Sequence, residues 1–128
     1  MGAARPDTPH LPQVAPIDAY GNGGFRFAGM SHRGSLLCLP DGVWGWPVER
    51  PQDIDEAALA RVFAQADLID SFLVGTGTAP WPLPPQLREA LRAAGIGCDV
   101  MPTGPAIRTY NIMLGEHRRV AAALIAVS

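Results

Sequence analysis

Apolar and polar positions change rhythm once along this chain, near Pro51. Before that point the rhythm is β. Phe25 and Phe27 alternate with Arg26 and Ala28, the period-two pattern of a half-buried strand. Ser31-His32-Arg33-Gly34 reads as a turn, and Ser35 to Leu39 as a short, continuously apolar strand. Pro40-Asp41-Gly42 is a second turn, because proline presets its own φ and glycine tolerates φ > 0. Val43-Trp44-Gly45-Trp46 then runs to Pro47. Residues 17–48 are therefore expected to form a small antiparallel meander.

After Pro51 helices and strands alternate. Asp53 and Glu56 have capping-box spacing, with aspartate in the Ser/Thr place, and predict a helix start. Leu59, Val62, Phe63 and Ala66 follow at helical spacing, with Arg61 and Gln65 facing away. A strand is expected from about Leu68 to Val74, ending in Gly75-Thr76-Gly77-Thr78 and the proline-rich Ala79-Pro80-Trp81-Pro82. Pro84 and Pro85 suit a helix start, where their missing N–H groups would be unpaired anyway. Leu87 and Leu91 mark that helix's buried face, and Gly95 fits its C′ position. Ile96 to Met101 reads as a strand, and Thr103-Gly104-Pro105 opens a third helix to about Leu114. Val120 to Val127 is apolar throughout and is expected as a central strand covered on both faces.

Length and composition narrow the classes. A chain of 128 residues makes one domain and buries roughly two-thirds of its unfolded surface without staples. Residues 1–14 hold three prolines and little apolar content; they read as a flexible arm, leaving 15–128 as a single domain. Hydrophobic types reach 48%, yet no run approaches the roughly 18 residues of a membrane span, so no membrane insertion is expected. A net charge of −2 and the lack of any basic run exclude a generic nucleic-acid binder. All ten basic residues are arginine, which excludes lysine Schiff-base chemistry and a Walker-type phosphate lysine. No secretory or mitochondrial signal is visible, so the expected location is the cytoplasm. The lysine-free, alanine- and arginine-rich composition points to a bacterial source.

Five motifs in order carry a resemblance: Gly23-Gly24-Phe25, Gly34-Ser35-Leu36-Leu37, Val74-Gly75-Thr76-Gly77, Arg108-Thr109-Tyr110-Asn111, and Val120-Ala121-Ala122-Ala123-Leu124-Ile125. The chain resembles, from about Pro16 to its end, a small domain family of unknown function whose mitochondrial member is a respiratory complex I assembly factor. The resemblance implies a single-domain layered α/β fold of the Mth938-like kind. Its parts would be a mixed central sheet, about three helices packed on it, and an extra antiparallel β layer from the N-terminal half. It implies no catalytic activity and no cofactor.

Three features invite a functional reading. Gly75-Thr76-Gly77 is a glycine-rich turn after a strand, where backbone N–H groups can converge on an anion. The dinucleotide fingerprint fails, because its third glycine position is Pro80. The bland alternative is a tight turn whose threonines bond local backbone. Arg108 falls near the start of the third helix, the unfavourable end for a cation, so an anion is expected to compensate. The partner is either a ligand, an internal carboxylate such as Asp70 or Asp99, or strand-end carbonyls that accept from the guanidinium. If the strands ending near Val74 and Met101 are parallel neighbours, their loops share one sheet edge. Gly75, Thr76, Gly77, Thr103, Gly104, Arg108, Thr109 and Asn111 would then line a polar ligand-binding crevice. Trp44 and Trp46 share one strand face; with Trp81 they form a candidate partner surface, the alternative being that at least two are core.

The reactive types are dispersed. His10, His32 and His117 show no metal-ligand spacing, and Cys38 and Cys98 form neither a disulfide framework nor a redox motif. Glu49, Glu56, Glu89 and Glu116 form no catalytic pair. No catalytic residue, metal or cofactor is therefore nominated. The reading is a non-enzymatic binding or assembly-factor-like module that recognises a protein partner, with self-association a further expectation. The alternative is a small-anion binder or enzyme using the strand-end crevice.

Overall fold

The computed structural model describes residues 9–128 and folds them into two β-sheets and three α-helices. Strands β1 (Ala19–Gly21), β2 (Gly24–Phe27) and β3 (Met30–Arg33) form a three-stranded antiparallel sheet. Its two hairpins turn at Asn22-Gly23 (φ 52° and 80°) and Ala28-Gly29 (φ 51° and 74°). Positive φ at both central residues gives a turn whose twist matches that of the flanking strands. The expected turn at Ser31-His32-Arg33-Gly34 is thereby corrected. Phe25 pairs with His32 and Phe27 with Met30, so the reversal falls earlier, at Ala28-Gly29. Gly34 alone keeps a turning role: at φ 99° it redirects the chain from β3 into the second sheet.

Strands β4 (Ser35–Leu39), β5 (Gly42–Trp46), β6 (Ser71–Gly75), β7 (Gly97–Met101) and β8 (Val120–Leu124) form a five-stranded mixed sheet in the order β5-β4-β8-β6-β7. The expected single meander is thus divided between two sheets. β8 lies at the centre, antiparallel to β4 and parallel to β6. All of its residues are buried, which is why it reads as apolar throughout. Its side chains alternate between two cores. Ala121 and Ala123 join Trp44, Trp46, Phe72, Val74, Leu87 and Leu91 on one side. Ala122 and Leu124 join Phe25, Phe27, Leu36, Ile107 and Tyr110 on the other. The small sheet and the last helix cover this second face.

The helices are α1 (Ala60–Ala64), α2 (Pro85–Ala93) and α3 (Thr103–Gly115). The Asp53–Glu56 capping box does not form. Asp53 lies in a 3-10 turn (Pro51–Asp53) and pairs with Arg50 at 3.4 Å. Asp55 does the local work instead, accepting from the Ala58 N–H at 2.8 Å one turn before α1. Leu59 and Val62 are buried as expected. Arg61 does not face away: its guanidinium lies 3.7 Å from the centroid of the Trp44 ring. A second 3-10 turn, Ala66–Leu68, delays the start of β6 to Ser71. α2 begins at Pro85, buries Leu87 and Leu91, and is followed by Gly95 at φ 81°.

Residues 1–8 of the expected arm lie outside the described residues. Leu11 forms an antiparallel bridge to Val43, whose N–H donates to the Leu11 carbonyl at 2.9 Å, so this segment lies along the outer edge of β5. Among the described residues no helix is long and apolar enough to cross a membrane.

Candidate functional site

β6 and β7 are parallel neighbours, and their loops do meet at one sheet edge. Thr103, fully buried at the start of α3, is the pin. Its hydroxyl donates to the Ile125 carbonyl at 2.7 Å and accepts from the Gly77 N–H at 2.9 Å. Its own N–H donates to the Gly77 carbonyl at 2.9 Å. The Thr76 hydroxyl donates to the Ala79 carbonyl at 2.6 Å, and the Thr76 N–H to Met101 at 2.9 Å. A Cβ on Gly75 would stand 2.9 Å from Thr103 Cα, so glycine there permits this close approach. The Tyr20 hydroxyl occupies the space over Gly104.

The structure therefore brings Gly75, Thr76, Gly77, Thr103 and Gly104 together and pairs the polar groups just named with one another. The other three residues diverge. Arg108 is exposed on α3 and takes no ion pair among the described residues; Asp70 pairs with Arg119 instead. Thr109 bonds back to the Pro105 carbonyl of its own helix at 3.0 Å. Asn111 grips the backbone of Ile17 twice: its Oδ1 accepts from the N–H at 2.9 Å, and its Nδ2 donates to the carbonyl at 2.8 Å.

Two of the three tryptophans are core residues, which corrects the expectation of an exposed aromatic face. Trp44 is 6% exposed and donates to Asp41 at 2.8 Å; Trp46 is 5% exposed and donates to the Ala58 carbonyl at 2.9 Å. They do share a face, but α1 and its approach cover it. Trp81 is exposed. Burial pushes the Cys38 thiol up to about 12 and that of Cys98 to about 11, so both are protonated at neutral pH. Among the described residues no three His, Cys, Asp or Glu side chains come together as a metal cluster.

A cleft that no motif pointed to lies at the other end of the sheet. With a volume of about 790 Å³, it opens between the C-terminus of α3, the start of β8 and the turn before β6. Val14, Leu68, Leu114 and Val120 supply apolar walls, and His117, Arg118 and Arg119 line its rim. Leu68 is 52% exposed and Val14 42%. His117 stands at φ 61° in the C′ position of α3, where its N–H bonds Leu114 and the Arg118 N–H bonds Met113. Glycine is the usual residue at such a cap. Arg118 sits 3.7 Å from Glu116 and Arg119 3.5 Å from Asp70, both exposed pairs of little energetic weight. The walls come from four separate stretches of chain, so no local spacing announces the cleft.

Residues 17–125 match the model of a family described as a protein of unknown function (DUF498/DUF598). The chain belongs to the DUF498/DUF598 family. Within it, the chain is similar to a Rhodopseudomonas palustris protein solved by NMR, at 63% identity and a TM-score of 0.83, over 98% of this chain and 93% of that one. A Bartonella henselae crystal structure, described as an outer membrane protein, superposes with a TM-score of 0.90 at 49% identity, over 93% of this chain and 100% of that one. The DUF498/DUF598 fold here is that of Mth938-like domains. The mouse NADH dehydrogenase [ubiquinone] 1 alpha subcomplex assembly factor 3 is 36% identical over 115 residues. That match takes in 90% of this chain but only 62% of the mouse protein.

Proposed function

We propose that this DUF498/DUF598 member is a binding module that recognises a protein partner through the cleft between α3 and β8. The observation that carries the reading is the cleft itself: apolar walls, exposed Leu68 and Val14, and a rim of one histidine and two arginines. Such a surface suits a segment that presents an apolar side chain beside a carboxylate. The apolar group supplies affinity, and the acid meets the basic rim. Burying one leucine-sized group contributes about 1.5–3 kcal/mol. The assembly-factor names of several relatives support a partner-recognition role in the same direction.

A random peptide library displayed on phage tests this directly. The wild-type chain is expected to select peptides with apolar residues flanked by Asp or Glu. Leu68→Asp and Arg118→Glu should each weaken the selected peptides tenfold or more, about 1.4 kcal/mol. Arg108→Ala, a change outside the residues that line the cleft, should leave them unchanged. Selection without an acidic-apolar preference, or peptides indifferent to Leu68→Asp, would overturn the reading.

A further inference from the structure

The outer face of the three-stranded sheet carries a second feature, independent of the cleft. Phe25 and Phe27 point into the core, so Gly24 and Arg26 point outward on β2; by the same alternation Ser31 and Arg33 point outward on β3. In the antiparallel register Arg26 stands opposite Ser31, and Gly24 opposite Arg33. The two arginines are therefore diagonal neighbours on one face, a spacing of roughly 7–8 Å that long side chains span. Both are exposed, and neither forms an ion pair among the described residues. Together with Asn22 and Ser31 they line a shallow cavity of about 330 Å³. The Arg33 guanidinium lies across the hairpin turn, with Nη1 3.5 Å from where a Cβ of Gly23 would stand.

Like charges held as diagonal neighbours on one sheet face repel each other. Among the described residues no carboxylate pairs with either arginine, although the protein as a whole is acidic, at −2. Two planar guanidinium forks can donate to separate oxygens of one tetrahedral anion, the geometry for which arginine is preferred over lysine. The Ser31 hydroxyl and the Asn22 amide add neutral donors at the same cavity. We propose that Arg26 and Arg33 form a binding site for a phosphoryl oxyanion, either on a free phosphate ester or on a lipid headgroup. At the turn, a Cβ on Gly21 would meet nothing within 4 Å, so the space beside it is open.

The test is an NMR titration of the whole chain with inorganic phosphate, against sodium chloride at equal ionic strength. Saturable shifts are expected at the amides of Gly24, Arg26, Ser31 and Arg33. Arg26→Gln combined with Arg33→Gln should abolish saturation, and Ser31→Ala should weaken binding several-fold. Both arginines are exposed, so the double variant should fold, and its melting temperature without phosphate should be equal or higher. Sedimentation with phosphatidylglycerol vesicles, lost in the double variant, would assign the anion to a headgroup. Saturable phosphate binding without sedimentation would assign it to a free ester. Linear shifts matched by chloride would mean an adventitious ion only and overturn the proposal, as would saturation that survives in the double variant.

Discussion

His10 and His32 stack against each other over Gly45, their ring centroids 4.3 Å apart and tilted by 51°. His10 belongs to the segment that edges β5, and His32 to β3, so the contact ties the N-terminal segment to the small sheet. A Cβ on Gly45 would stand 3.2 Å from His10 Nε2 and 3.3 Å from His32 Cε1, which places both rings in the space this glycine leaves. Burial lowers both rings below the ordinary 6.5. His32 is lowered further by the neighbouring His10 charge, against the raising effect of its bond to the Ser35 carbonyl. No carboxylate contributes to either shift.

Lowered native values set the sign of a pH dependence. Below pH 6.5 the unfolded chain takes up protons that the native rings resist. The stability involved is complete above 6.5 and is lost as pH falls through the lowered native values. Denaturant melts at pH 7.5 and pH 5 should show the loss, and His10→Gln should flatten it. An unchanged slope in that variant would mean the pair is not its source.

Thr103 joins three segments through one hydroxyl. Thr103→Val keeps the shape but leaves the Gly77 N–H and the Ile125 carbonyl without their partner. A buried polar group stranded in this way costs about 1–3 kcal/mol. We expect Thr103→Val to lower the melting temperature by several degrees, and amide exchange at Gly77 to accelerate. Equal stability of the variant would show that water replaces the hydroxyl.

His117 holds a left-handed conformation at φ 61°, which is unfavourable for any residue with a Cβ by roughly 1–2 kcal/mol. His117→Gly should therefore raise stability by about 1 kcal/mol, read as a shift of the urea midpoint at constant slope. If the cleft binds a partner as proposed, the same variant should weaken the selected peptides, because it removes a rim donor. A stabilised variant with unchanged peptide affinity would confine His117 to the helix cap.

Elements with their own punctuation were legible in advance. Pro84-Pro85 and Gly95 bracket α2, and the uninterrupted apolar run of β8 announced its central place, because those constraints act on neighbouring residues. The juxtaposition of Gly75-Thr76-Gly77 with Thr103-Gly104 followed as well, from the rule that parallel neighbours put their loops on one edge. What stayed hidden was how the edge is filled: Thr103 reaches Ile125, 22 positions away, and that bond has no local signature. Ala28 gave no hint of its positive φ, although Asn22-Gly23 carries the standard signal for the neighbouring hairpin.

Local chemistry thus determined the order of strands and helices, their periodicity, the acidic balance and the absence of lysine, since each is a property of residues close in sequence or summed over it. Tertiary packing decided which face each residue shows. Trp44 and Trp46 share a face by period two, yet α1 turns that face into core. Arg26 and Arg33 come together only through the register of a hairpin, and the cleft only where α3, β8 and the turn before β6 converge. Burial and proximity depend on what a distant segment brings to the same place, and no spacing along one segment encodes that.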